Sequence, residues 1–384
     1  MDRALVNLSG LVAVLALGTR PAVADPPMYT MVELGHIVPG SSSVAIAISD
    51  STVAGPVVVG HSFTKFSPPT LSWRAVAWRP NHSPLPVDLL PGAGASTVNR
   101  TQDVSPSGTF IVGHSNVSPP HAVRWSFDPV TGAVTATQTL GALAGDGASE
   151  AVGVNSSGRA AGYSLTDSST TRGVTWAPGS VTAVLLPGPP GSGGFRLARE
   201  ISEAPLEHIV GRCDMSSTPT TRPIIWKKSG GAYGTGQLLD LLSPLQVHDA
   251  VGITPNGRLA VGLGATATEA RAVAWSTTTN EVLDLGGLCC SQNVVYDMNN
   301  SGVGVGYTAL NFATFRAMVF WDGQAIDLNT RIVNNPQIGV SVFLQAASGI
   351  NSAGQIVGVF GESVSDEPLS PGRVFLLTPV NPGG

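Results

Sequence analysis

The chain has 384 residues with 46 glycines and 29 prolines, and only 12% of it is charged. That is too apolar for a disordered polypeptide and too rich in turn-formers for a helical one. Three lysines (Lys65, Lys227, Lys228) and a formal charge of −5 leave no basic stripe to neutralise phosphates, which argues against a nucleic-acid partner.

Residues 1–24 read as a secretory signal peptide. Arg3 supplies a positive start, Ala4 to Gly18 is mostly apolar, and Ala22-Val23-Ala24 is a small-x-small cleavage site before Asp25. The apolar run is short for a membrane span, which takes about 20 residues. No second long apolar run follows, so the expectation is a secreted or periplasmic protein with no membrane anchor.

From residue 25 to 380 one unit recurs seven times: an aliphatic residue, a polar residue, a glycine-containing turn, then a hydrophobic pair ending in glycine. Val154-Asn155-Ser156-Ser157-Gly158-Arg159-Ala160-Ala161-Gly162 is a clean copy. The closing glycines are Gly60, Gly113, Gly162, Gly211, Gly262, Gly306 and Gly358, spaced 53, 49, 49, 51, 44 and 52 residues apart. A period of about 40–50 residues in a strand-rich chain marks a propeller or solenoid.

Each unit parses into four short strands. The first leads into the aliphatic residue, and the second runs into the closing glycine, which suits close backbone approach between crowded inner strands. The third ends in tryptophan: Trp78, Trp125, Trp176, Trp226, Trp275 and Trp321. Their regular spacing predicts packing between sheets rather than ligand stacking. Trp73 falls outside this register and is expected to tolerate replacement. The fourth strand carries leucine, often after aspartate, as in Asp88-Leu89, Asp240-Leu241 and Asp284-Leu285.

The seventh unit ends at Arg373-Val374-Phe375-Leu376-Leu377 without a fourth strand, while Met31-Val32-Glu33-Leu34-Gly35 is a fourth strand with no unit before it. If residues 31–35 complete the last sheet, every sheet has four strands and no edge stays open. The predicted fold is therefore all-β: one seven-bladed β-propeller closed by its N-terminal strand, with residues 381–384 a proline-glycine tail.

The motifs Ile-Asn-x-x-Gly-x-hydrophobic-Val-Gly, His-Ala-Phe-hydrophobic-Trp and Leu-Gly resemble the HAF-type extracellular repeats of secreted bacterial proteins. The resemblance covers roughly residues 30–380, including the ending Val374-Phe375-Leu376-Leu377-Thr378-Pro379. The signature tripeptide survives only as His121-Ala122-Val123; elsewhere it reads Arg-Ala-Val, Arg-Gly-Val, Arg-Pro-Ile, Arg-Ala-Met or Arg-Val-Phe. The resemblance implies secretion and a β-repeat architecture, and it brings no catalytic residues.

Chemistry is sparse. The G-x-S-x-G elbow, HExxH and the P-loop are absent, and Gly302-Val303-Gly304-Val305-Gly306 is a turn plus closing glycine. Asp146 and Glu150 are weighed as a joint cation site against a solvated loop. Cys213, Cys289 and Cys290 are an odd set with irregular spacing, read as buried or incidental thiols, with a bridge from Cys213 to one of the pair as the alternative. Two groups stand as ligand or cation candidates. His61 and His114 follow the closing glycine in units one and two, where neighbouring blades could let them share a metal or substrate. Asp103, Glu200 and Asp297 occupy one column of the first strand in alternate units, the others there being Ala47, Gly153, Gly252 and Gly349. Carboxylates brought together favour a cation or raise a pKa; alternatively Arg100 and Arg199 neutralise them.

The function expected is a secreted, monomeric, non-enzymatic binding module for an envelope glycan, protein or small ligand, with no cofactor. The alternatives are a hydrolase or lyase acting at the central channel, and a structural or adhesion protein. Fold alone does not decide among them.

Overall fold

Each sequence unit forms one four-stranded antiparallel sheet. In a computed structural model the described residues are 26–380, apart from 51–52, 64–72, 91–98, 117–119, 167–169, 217, 244–246, 267, 289–291, 312–313, 362–368 and 370. The signal segment, the tail and Cys289-Cys290 lie outside the described residues, and with them the bridge considered for Cys213, which is a buried free thiol.

Outward from the axis, blade 1 is Ser43–Ile48, Val58–Phe63, Trp73–Arg79 and Ser83–Asp88. The inner strands of blades 2 to 7 are Asn99–Val104, Ala148–Val154, Ser192–Ile201, Val247–Ile253, Gln292–Met298 and Phe343–Ile350. Blades 5 and 6 are also joined by a single parallel bridge, Ala270 to Gln292. The outer strand of blade 7 is the N-terminal strand Met28–Leu34, antiparallel to Arg373–Val380, with Met31 opposite Leu377 and Leu34 opposite Val374. The ring closes as the strand count required.

One irregularity repeats around the ring. Every inner strand slips register against its neighbour at the same place, as between Thr101 and Asp103, Ala151 and Gly153, or Val295 and Asp297. Such a bulge inserts one extra residue and turns the strand. It also explains the closing glycines. A Cβ on any of the seven would lie 1.9–2.1 Å from a carbonyl oxygen of the bulged strand beside it. The crowding is thus within each blade rather than between inner strands of different blades.

The turn asparagine joins blades. Asn155 Oδ1 accepts from the backbone of Ser157 and Arg159, while its Nδ2 donates to Ser202 O of blade 4 at 3.2 Å. Asn299 reaches Asn351 O and Asn351 reaches Ser49 O in the same way, at 3.1 and 3.0 Å, so the last of these crosses the seam between blades 7 and 1.

Five of the six in-register tryptophans are fully buried, and Trp321 is partly so. Trp78, Trp176, Trp226 and Trp275 each donate Nε1–H to a carbonyl just past the outer strand of the preceding blade: Gly35, Gly141, Pro187 and Asp240, at 2.7–2.9 Å. Trp125 lacks that bond; the equivalent Leu90 carbonyl takes the Arg74 guanidinium instead. Arg74 also pairs with Asp88 and Arg271 with Asp284, which accounts for the aspartate before the leucine in blades 1 and 5; Asp240 instead accepts from Asn280. Trp176→Ala is expected to cost about 3–5 kcal/mol in thermal or denaturant unfolding, through lost packing and the cavity left behind. Trp73 is not the idle aromatic its register suggested. It is partly buried, packs on Phe63 and meets His61 edge-on at 4.5 Å.

Candidate functional site

The bulged inner strands surround an axial cavity of about 420 Å³. The extra residues of the seven bulges form one row around it: Ile46, Gln102, Val152, Arg199, Val251, Tyr296 and Ser348. No two neighbours in this row share a chemistry. A regular scaffold therefore presents an irregular surface at its axis.

Next along the strands comes the acidic column, and the structure brings Asp103, Glu200 and Asp297 to the same cavity. The bulge turns this column toward the following blade. Asp103 Oδ2 accepts from Val154 N of blade 3 at 2.8 Å, and Asp297 Oδ2 from Ile350 N of blade 7 at 2.9 Å. An inner strand is an edge strand, so these carboxylates cap N–H groups that the ladder leaves unpaired. Among the described residues Glu200 accepts only from its own neighbour, Ile201 N, at 2.8 Å. The glycines of the column are the counterpart: a Cβ on Gly153 would lie 2.8 Å from Glu200 Cα.

Neither arginine partner expected from the sequence is found. Arg199 binds Asp249 at 2.9 Å, and Arg100 lies over the Trp73 ring, 5.2 Å from its centroid. The acidic groups are left with burial and one another. Burial raises Asp103 well above the usual carboxylate range, Val154 and Val104 N–H oppose it, and the Asp297 and Glu203 charges push it further. Burial and then the Asp103 charge raise Glu200 likewise. Asp297 is pushed up to about 6, by burial against two backbone N–H bonds, with a contribution from Asp50.

A carboxyl raised in the folded state contributes stability below its unfolded pKa, and that contribution is lost as pH rises through the folded value. For Asp297 the window runs from about 4 to about 6. The protein is therefore expected to melt higher at pH 5 than at pH 7.5. Glu200→Gln keeps its single acceptor, so it should raise the pH 7.5 melting temperature by a few degrees and flatten the slope. Asp297→Asn, which gives up an oxygen facing an N–H, should not. Scanning fluorimetry between pH 5 and 8 checks this; a flat wild-type profile would count against repulsion in the channel.

At the mouth where the inner strands begin, the residues after the closing glycines of blades 1, 2 and 4 face the next blade, whereas Tyr163 of blade 3 bonds Glu150 of its own blade. Blades 2 and 3 meet through His114 and Glu150, Nδ1 to Oε1 at 3.5 Å. Burial alone would raise Glu150, but His114, Tyr163 and Gln102 hold it below the usual range, the last two through 2.5 Å hydrogen bonds. Blades 4 and 5 meet through Arg212 and Asp249 at 3.3 Å. Blades 5, 6, 7 and 1 meet through one apolar cluster that includes Val44, Val294, Tyr307, Ala346 and Val359, with Leu263 and Leu369 against it. The joint between blades 1 and 2 differs, since His61 there faces Arg100. Burial, then the Arg100 and His114 charges, lower the His61 pKa to about 3.

His61 and His114 thus hold equivalent places in adjacent blades, each turned to a different partner. Asp146 binds Arg172 and Ser164, so it and Glu150 serve separate partners rather than one cation. Among the described residues no group of three or more His, Cys, Asp or Glu side chains gathers in a metal-holding arrangement, and no helix is long and apolar enough to cross a membrane. Sequence reasoning missed Arg100, Trp73, Glu150 and Tyr163 as parts of the mouth.

No protein-family model matches the chain, and no curated protein matches it in sequence. Its likeness to solved structures is of shape. The β-propeller domain of the Trilobed protease from Pyrococcus furiosus aligns with 89% of this chain and 96% of its own, at 12% identity and a TM-score of 0.52. That domain is described as having an open velcro topology, whereas here the N-terminal strand pairs into the last blade. A puromycin hydrolase (14% identity, TM-score 0.52, 84% of this chain) and a Mycobacterium tuberculosis puromycin-hydrolyzing peptidase (14%, 0.51, 83%) also align. This chain spans only 53% and 49% of those two proteins. At such identities the likeness speaks for the fold alone: the chain is a β-propeller, of seven four-stranded blades closed by its own N-terminal strand.

Proposed function

We propose that this protein is a secreted, monomeric, non-enzymatic binding module of the HAF-repeat type, which takes an envelope-derived ligand at the mouth of its axial channel. The observation that carries the reading is the contrast between scaffold and channel. Bulge and closing glycine repeat in every blade and the tryptophan in six of the seven, yet the row of side chains at the axis changes from blade to blade. A lectin with one site per blade would repeat its contact residues; a single asymmetric site would not. A channel of about 420 Å³ also falls within the usual range for small-ligand sites.

Two further points favour binding over hydrolysis. Asp103 and Asp297 spend carboxylate oxygens on backbone N–H groups. His61, a partly buried imidazole of the mouth, faces an arginine rather than a carboxylate that could orient it as a base. The same bonds favour an organic ligand over a cation at the acidic column.

The test is a screen of glycans, peptides and small metabolites against residues 25–384, with Val152→Trp to fill the channel and Leu283→Glu in the outer groove between blades 5 and 6. Binding should vanish in the first variant and persist in the second, with both still folded. Binding that survives Val152→Trp would place the ligand elsewhere.

A further inference from the structure

The joint between blades 1 and 2 breaks the pattern of the mouth. The two other polar joints, His114–Glu150 and Arg212–Asp249, each set a side-chain nitrogen against a carboxylate. Among the described residues Arg100 has no such partner. The flanking segments 64–72 and 91–98 contain no Asp or Glu, and the first carries Lys65; Glu362, Asp366 and Glu367 lie outside the described residues. His61 Nδ1 is buried and also lacks a hydrogen-bond partner. Trp73 holds both groups in place, with His61 against its edge and Arg100 over its face.

We propose that His61, Arg100 and Trp73 form an anion subsite for a small monocarboxylate, with the Arg100 guanidinium receiving the carboxylate and His61 offering a neutral ring N–H. A buried polar nitrogen without a partner costs free energy unless a ligand completes it. An arginine fork matches a carboxylate bidentately. The charge count selects the class. One full cation beside a neutral imidazole balances one negative charge, whereas a phosphate carries about −1.5 to −2 at neutral pH. Burial and the Arg100 charge keep His61 neutral through the physiological range. Tyr163, bonded to Glu150, and Gln102 keep that carboxylate engaged on the far side of His114.

The inference rests on the binding-module reading and names the ligand chemistry of one part of that site. Benzoate and galacturonate serve as carboxylate probes, galactose as the neutral control and inorganic phosphate as the dianion, measured by calorimetry and ligand-observed NMR. The expected result is binding of both carboxylates, at least tenfold weaker in Arg100→Gln and unchanged in Arg271→Gln, a surface arginine of blade 5 paired with Asp284, with galactose and phosphate weaker still. Arg100→Lys keeps the charge and loses the fork, so it should fall between; it also stands in should Arg100→Gln fail to fold. Equal carboxylate affinity in wild type and both Arg100 variants would overturn the subsite, as would phosphate binding as tightly as benzoate. If the general screen finds a channel ligand but the carboxylates do not bind, the subsite fails and the binding reading survives. If nothing of any class binds, the broader reading fails.

Discussion

Removal of residues 26–35 is expected to unfold the propeller at room temperature or leave it barely stable. The N-terminal strand supplies the outer strand of blade 7 and buries Tyr29, Met31 and Leu34. Burying three such side chains contributes on the order of 5–8 kcal/mol, comparable to the whole net stability of a domain. Asn334, in the connection from blade 6, bonds Met31 through both backbone groups, at 2.8 and 2.9 Å, and those bonds go too. The surface pair Glu33–Arg373 adds little. Deleting residues 381–384 should change nothing measurable. Circular dichroism melts of both truncations check the asymmetry; equal effects would mean that the N-terminal strand is an accessory rather than the closure.

The closing glycines should be almost as intolerant, for a reason that involves no unusual backbone angle. A methyl on Gly162 would sit 2.1 Å from Glu150 O and 2.9 Å from Ala151 Cα, so the bulge itself would have to move. Overpacking of a core typically costs 1–3 kcal/mol, and here the obstacle is backbone rather than a side chain that can turn aside. Gly162→Ala is therefore expected to cost about 3 kcal/mol or more. Gly173, one strand outward, is the control. A Cβ there would find ordinary contacts at 3.6 Å and beyond, and Ala75, Ala122 and Ala272 occupy the same place in other blades. Gly173→Ala should be neutral or slightly stabilising. Urea titration of the two variants separates the outcomes; similar midpoints would refute the close approach at the bulge.

The architecture was legible because its causes are periodic. Closing glycines, tryptophans and outer-strand leucines recur at one spacing, and the missing fourth strand of the last unit identifies its own replacement at Met31–Gly35. The bulge was not legible. Its extra residue changes from each blade to the next, so the only trace it leaves is the glycine opposite, which reads equally well as crowding at the axis. The acidic column was seen, but its direction was not, because the bulge is what turns Asp103 and Asp297 toward the next blade's N–H groups. The mouth joints escaped because they link residues 36 to 39 positions apart in different blades, such as His114 with Glu150 and His61 with Arg100. Nothing local marks such pairs. On the reading proposed above, the function stayed hidden for the same reason: the residues that vary between repeats would carry it, and periodic reading discards what varies.

The ring closure on which the channel depends can be measured directly. Thr30 and Thr378 are register partners across the seam strands. With Cys213, Cys289 and Cys290 replaced by serine, the Thr30→Cys/Thr378→Cys variant should form an intramolecular disulfide on mild oxidation, identified by peptide mass mapping of the linked fragments. The account predicts that cross-link, with a raised melting temperature in the oxidised form. A chain that stays reduced, or that links only between molecules, would contradict closure by the N-terminal strand.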